Sequence, residues 1–206
     1  FDTYALKEAS QKDIKEVVQA FKNHEILAFP TDTVYGVGCI YGNLNDLNRL
    51  KRIKHRDETK AIPMMVSSIE QMEQVAYVDD RTRRIVEQFL PGPLTLIVPL
   101  KDTIDRDYTN GMDTIAIRMP EDDFVLEVIS LLNTPLFVTS ANQSGASTAL
   151  TFEDAKEQLP NLDGIVLGTC KELQASTILD CTKKDLCVLR KGPLSLEEIK
   201  NAISYI

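Results

Sequence analysis

Histidine is nearly missing from this chain of 206 residues, which holds only His24 and His55. Its four cysteines, Cys39, Cys170, Cys181 and Cys187, form no Cys-x-x-Cys pair. That spacing argues against a zinc site and against a disulfide framework, so the thiols read as buried or inert groups in a reducing cytosol. Long apolar runs are absent as well. Leu94–Val98, itself interrupted by Thr95, stops at Pro99, far short of the roughly 20 residues that cross a bilayer. No membrane association is expected. The opening residues lack a basic stretch followed by an apolar core, so we expect no secretory signal in them and a cytoplasmic location.

An excess of positive charge is lacking too. The net charge of −8 argues against a general nucleic-acid binder, whose domain is usually basic. What is present is ordinary globular composition, 43% hydrophobic and 26% charged, which excludes general disorder. The length favours one domain spanning residues 1–206. Positive charge is concentrated locally instead. Arg49, Lys51, Arg52, Lys54, Arg56 and Lys60 form one block, and Arg81, Arg83 and Arg84 another. An acidic protein keeping such a block suits a small anion better than a duplex.

Ile14, Val17, Val18 and Phe21 recur at helical spacing and predict an amphipathic helix over residues 11–23. Leu44, Leu47 and Leu50 predict a second, ending near Lys54; Arg81–Leu90 and the region of Phe124, Val125, Val128, Leu131 and Leu132 predict two more. Thr151 with Asp154, and Ser195 with Glu198, are capping signatures for two late helices. Strands are expected at Ile26–Phe29, Ile62–Val66, Leu94–Leu100, Thr114–Met119, Leu136–Thr139, Gly164–Leu167, Thr177–Asp180 and Cys187–Arg190. Several connections are too short for a crossover helix. The expected fold is therefore α/β with α+β character, a twisted mixed parallel and antiparallel sheet with flanking helices.

Chemistry concentrates where strands end. In Pro30-Thr31-Asp32-Thr33-Val34-Tyr35-Gly36-Val37-Gly38, Pro30 ends a strand, and Gly36 and Gly38 permit turns or close backbone approach. Tyr35 is placed to close a pocket over a small ligand, although an ordinary tight hairpin fits the same residues. Thr139–Gly145 opens a buried strand into small hydroxyl and amide residues whose donors suit an anion. Lys54 and Arg56 would splay roughly 200° apart on a helix. They converge only if the helix ends about there; otherwise they are a solvated charge run.

Taken together these segments resemble the YrdC-like family, the L-threonylcarbamoyladenylate synthases of the tRNA modification pathway, in their short, single-domain form. The resemblance runs from Pro30–Gly38 through Lys-x-Arg at 54–56, Pro-Gly-Pro-Leu-Thr at 91–95 and Asp-Thr-Ile-Ala-Ile-Arg-Met-Pro at 113–120. It continues through Ser-Ala-Asn-Gln-Ser-Gly at 140–145, Ser-Thr-Ile-Leu-Asp at 176–180 and Leu-Arg-Lys-Gly at 189–192. The chain departs from the pattern at Asp57, where the family often has Pro, and at Lys60-Ala61-Ile62, in place of Lys-Pro-Leu.

The resemblance implies a YrdC-like fold and a nucleotidyltransferase acting on ATP, L-threonine and bicarbonate, with Mg²⁺ accompanying ATP. It implies Lys54 and Arg56 as the catalytic pair on the triphosphate and carbamate, Ser140 and Asn142 on phosphates or Mg²⁺, and Ser176 and Arg190 on the nucleotide. Thr33, Tyr35 and Arg118 would form the threonine pocket, a strand-end salt bridge being the plain alternative for Arg118. The implied partners are downstream tRNA threonylcarbamoyl-transferase proteins, with weak tRNA contact. Two other functions fit the residues: an RNA-binding module of the same fold, and a paralogue using another carboxylate or carbamoyl donor.

Overall fold

Side-chain alternation along the strands decides which face of the sheet each helix covers. The computed structural model describes residues 2–4, 11–55, 60–170 and 174–204. In it ten strands form one mixed sheet: β1 (Asp2–Tyr4), β2 (Leu27–Phe29), β3 (Gly36–Ile40), β4 (Met64–Met65), β5 (Leu94–Pro99), β6 (Thr114–Arg118), β7 (Leu136–Ser140), β8 (Gly164–Val166), β9 (Thr177–Asp180) and β10 (Cys187–Arg190). Their spatial order is β1-β8-β2-β3-β7-β4-β6-β5-β9-β10. Strand β8 is parallel to β1 and β2, β4 to β6, and β5 to β9. The other neighbours are antiparallel. The expected mixed sheet is present.

On one face, α1 (Gln11–Lys22) and α5 (Asp123–Leu132) bury Ile14, Val17, Phe21, Val125, Val128 and Ile129 against Leu27, Phe29, Leu136 and Val138. The intervening residues Ala28, Val37, Cys39 and Phe137 point the other way. There they join Leu47 and Leu50 of α2 (Leu44–Ile53), Met72 and Val75 of α3 (Ile69–Val75), and Ile85 and Val86 of α4 (Asp80–Phe89). Helices α6 (Phe152–Gln158) and α7 (Leu196–Ile203) start at the Thr151 and Ser195 caps, whose hydroxyls accept from the N–H groups of Asp154 and Glu198. The capping signatures therefore marked both helix starts.

Three elements differ from expectation. Gly36–Ile40 is a full strand, although its glycines read as turn residues. They are needed for packing: a Cβ on Gly38 would lie 2.5 Å from the Phe137 carbonyl oxygen, and one on Gly36 2.8 Å from Val138. Helix α3 had no clear periodic signal in its short span, and its Gln71 is buried with its side-chain amide donating to the Ile129 carbonyl. Strand β4 is only Met64–Met65, shorter than the apolar run around it.

Candidate active site

Beyond α1 and α5, the face of the sheet that they cover becomes an open cleft of about 920 Å³. Sequence parity explains it. On β5, β6 and β9 the residues facing this way are Thr95, Ala116, Arg118 and Ile178, while Leu94, Leu96, Ile115, Ile117 and Leu179 face the core. Register then lines up Met65, Arg118, Thr95, Ile178 and Arg190 as one row across five strands. Two arginines separated by 72 positions in sequence thus share a floor, with roughly 14 Å between their backbones at about 4.8 Å per strand. Gly36, Val138 and Ser140 continue the lining on the far side, with Thr31, Thr33 and Thr148 from loops.

The segment after β2 turns on Thr31, whose hydroxyl donates to the Val34 carbonyl at 2.6 Å and accepts from the Thr33 N–H at 3.2 Å. This leaves Thr33 on the cleft wall. Tyr35 is different, and its expected place over the ligand is corrected here. It is fully buried, and its hydroxyl donates to the carbonyls of Val166 at 2.5 Å and Gly168 at 3.1 Å. Burial also pushes its phenol well above the ordinary tyrosine range. Its parity with Val37 and Cys39, both core residues, was the signal that gave this direction away.

Helix α2 ends at Ile53 with Lys54 as its C-cap, and His55 adopts a left-handed φ of 49°. The helix therefore stops where convergence of Lys54 and Arg56 requires; Arg56 and Asp57 lie outside the described residues. Lys54 is 2% exposed, and its Nζ donates to the Ser140 carbonyl at 2.6 Å and to Thr139 Oγ1 at 3.2 Å. Gln143 Nε2 donates to the Ile53 carbonyl at 3.0 Å, so the 140–145 loop is clamped to the end of α2. The Ala141 N–H donates to the Tyr35 carbonyl at 2.7 Å, and Gly36 pairs with Ser140. Lys54, the Tyr35–Gly36 backbone and the 140–145 loop thus meet at the end of β7.

Asn142 is buried in this junction. Its Nδ2 donates to the carbonyls of Gln143 and Ala146, at 3.1 and 2.8 Å, while its Oδ1 has no hydrogen-bond partner among the described residues. Across the cleft, Arg190 Nε and Nη2 donate to the Ser176 carbonyl at 3.0 and 2.8 Å, and Ser176 Oγ bonds Thr95 Oγ1 at 2.7 Å. Arg118 lines the cleft but is paired with Asp32, the salt bridge that was its plain alternative. Sequence reading gave Asp32 and Thr95 no role. Thr95 was legible from its parity against Leu94 and Leu96; Asp32 was not, because its partner is 86 residues away.

A family model for Sua5, YciO and YrdC, described as telomere recombination, matches residues 19–192. The chain belongs to this family. The threonylcarbamoyl-AMP synthase of Pyrococcus abyssi is 35% identical over 188 residues, covering 88% of this chain and 54% of that protein. The chain thus spans about half the length of that relative. A putative threonylcarbamoyl-AMP synthase of Methanocaldococcus jannaschii is 31% identical and covers 95% of this chain and 94% of its own length. Among solved structures, P. abyssi Sua5 complexed with L-threonine superposes with a TM-score of 0.89 at 30% identity, over 100% of this chain and 61% of that one. Escherichia coli YciO, 22% identical with a TM-score of 0.82 over 97% of this chain and 98% of that one, shares the fold. Among the described residues of this Sua5/YciO/YrdC chain, no helix is long and apolar enough to cross a membrane.

Proposed function

We propose that this chain, acting as one domain in the cytoplasm, makes L-threonylcarbamoyl-AMP from L-threonine, bicarbonate and ATP and releases pyrophosphate. The observation that carries the reading is the meeting of Lys54, Ser140 and the turn at Thr31–Gly36 beside a cleft floored by Arg118 and Arg190. The names of the relatives and the L-threonine bound to P. abyssi Sua5 support it.

The reaction suits a site without an activated side-chain nucleophile. The threonine ammonium gives up a proton to solvent, the free amine attacks bicarbonate, forming an N–C bond with loss of water, and a carbamate oxygen then attacks the α-phosphorus of ATP as pyrophosphate departs. Positioning and neutralisation of phosphate charge do the catalytic work. Lys54 and Arg56 hold the triphosphate and the carbamate, Ser140 binds phosphate, Ser176 and Arg190 bind the nucleotide, and Thr33 and Arg118 face threonine. Mg²⁺ fits Asn142: a buried amide oxygen with no partner among the described residues is a hard oxygen donor of the kind Mg²⁺ takes. Bound there, the ion would supply charge neutralisation for the phosphates. The product is a mixed anhydride, to be consumed by tRNA threonylcarbamoyl-transferase proteins, with at most weak tRNA contact at this cleft.

Pyrophosphate release, followed with purified protein, tests the assignment. It is expected to require L-threonine and bicarbonate together and to collapse in Lys54→Ala and Arg56→Ala. Equal release without threonine would remove the substrate assignment.

A further inference from the structure

The two cleft arginines differ in how their charge is held. Arg190 donates to neutral oxygens of Ser176. Arg118 pairs with Asp32, and the two side chains are 8% and 10% exposed. Asp32 Oδ2 also accepts the Glu121 N–H at 3.1 Å, whereas Oδ1 is buried with no hydrogen-bond partner among the described residues. Thr31 closes the turn that carries Asp32, so the carboxylate is fixed at the end of a short, braced loop.

A buried ion pair is poor material for stability, since desolvation of such a pair commonly exceeds its attraction. Its effect falls on the cleft instead. Burial pulls the Arg118 guanidinium below its ordinary proton affinity, Asp32 pulls it back, and the charge of Arg190 works against Asp32. Without Asp32 the floor would carry two uncompensated guanidiniums and would favour a polyanion along its whole length. With it, the Arg118 end carries no net charge, and of the pair only Arg118 lines the cleft. A zwitterion, itself of no net charge, suits an end where Arg118 is held and its charge compensated from behind, and a second phosphate group does not.

We infer that Asp32 is a positioning and specificity-determining residue: it pins and neutralises Arg118, reserving that end of the cleft for a zwitterionic amino acid and confining phosphates to the other end. This inference rests on the threonylcarbamoyl-AMP reading of the cleft. Arg118 touches the amino acid; Asp32 acts through it.

Calorimetric titration of the full chain with L-threonine and, separately, with pyrophosphate tests it. In Asp32→Asn the Kd for L-threonine is expected to rise roughly tenfold or more, the scale of one charge-assisted hydrogen bond. The Kd for pyrophosphate is expected to fall several-fold, and to do so more at low salt. Opposite movement of the two ligands is what a merely structural role cannot produce. If Asp32→Asn does not fold, Asp32→Glu takes its place: it keeps the charge but displaces the guanidinium, so threonine binding weakens while pyrophosphate binding stays unchanged. Parallel losses for both ligands, or no change for either, overturn the inference alone. Wild-type protein that binds pyrophosphate but not L-threonine overturns the functional reading and this inference with it.

Discussion

Lys54 Nζ donates to the carbonyl of Ser140 at 2.6 Å, joining the end of a helix to the end of a strand 86 positions later. The ammonium is almost fully buried and sits behind a cleft wall made by Thr139 and Ser140. Removing a group that stabilises developing charge costs about 3 kcal/mol of transition-state energy, roughly a hundredfold in rate. Lys54→Met keeps the apolar stem but removes the donor to the Ser140 carbonyl and Thr139 Oγ1, and a buried acceptor left unpaired costs about 1–3 kcal/mol. The variant is expected to lose at least about a hundredfold in pyrophosphate release per folded molecule, together with a lowered melting temperature. A loss of rate only in proportion to unfolded protein would reduce Lys54 to a brace.

Gly38 faces the backbone of β7 so closely that a Cβ would lie 2.5 Å from the Phe137 carbonyl oxygen. Backbone in the middle of a paired ladder cannot give way cheaply. Gly38→Ala should lower stability by about 1–3 kcal/mol or more, read from urea denaturation. A variant as stable as wild type would show that β3 and β7 can separate locally.

Tyr35→Phe removes a hydroxyl that donates to the Val166 and Gly168 carbonyls. The loss should cost about 1 kcal/mol of stability and leave the KM for L-threonine unaltered. A raised KM with unchanged stability would return Tyr35 to the substrate pocket.

Asp122 caps α5 by accepting the Val125 N–H at 2.9 Å. Burial pushes its carboxyl above the ordinary aspartate range, the Val125 N–H pulls it back, and the charge of Asp32 raises it again. The folded state therefore binds this proton more tightly than the unfolded chain. The resulting stability is fully present below the unfolded pKa of about 3.9 and is lost as pH rises through the folded value. Asp122→Asn keeps a cap acceptor and cannot titrate. Denaturation at pH 7 and near pH 4 should show wild type gaining on the variant as pH falls; a constant difference would refute the assignment.

Local order in the sequence determined most elements and several of their ends. Ile14, Val17, Val18 and Phe21 marked α1 because a helix must bury one stripe, and Thr151 and Ser195 marked α6 and α7 because exposed N–H groups need an acceptor. Short connections implied a mixed sheet, since a parallel pair needs room for a crossover. The segments carrying the site were also legible, as runs of hydroxyls, glycines and cations at strand ends. Tertiary structure alone decided which strands are neighbours, and hence that Arg118 and Arg190 share one row and that Lys54 reaches Ser140. It also turned Tyr35 into the core and gave Arg118 its partner in Asp32. Hydrogen-bond ladders and buried charge pairs join residues that lie far apart along the chain, so no local spacing encodes them.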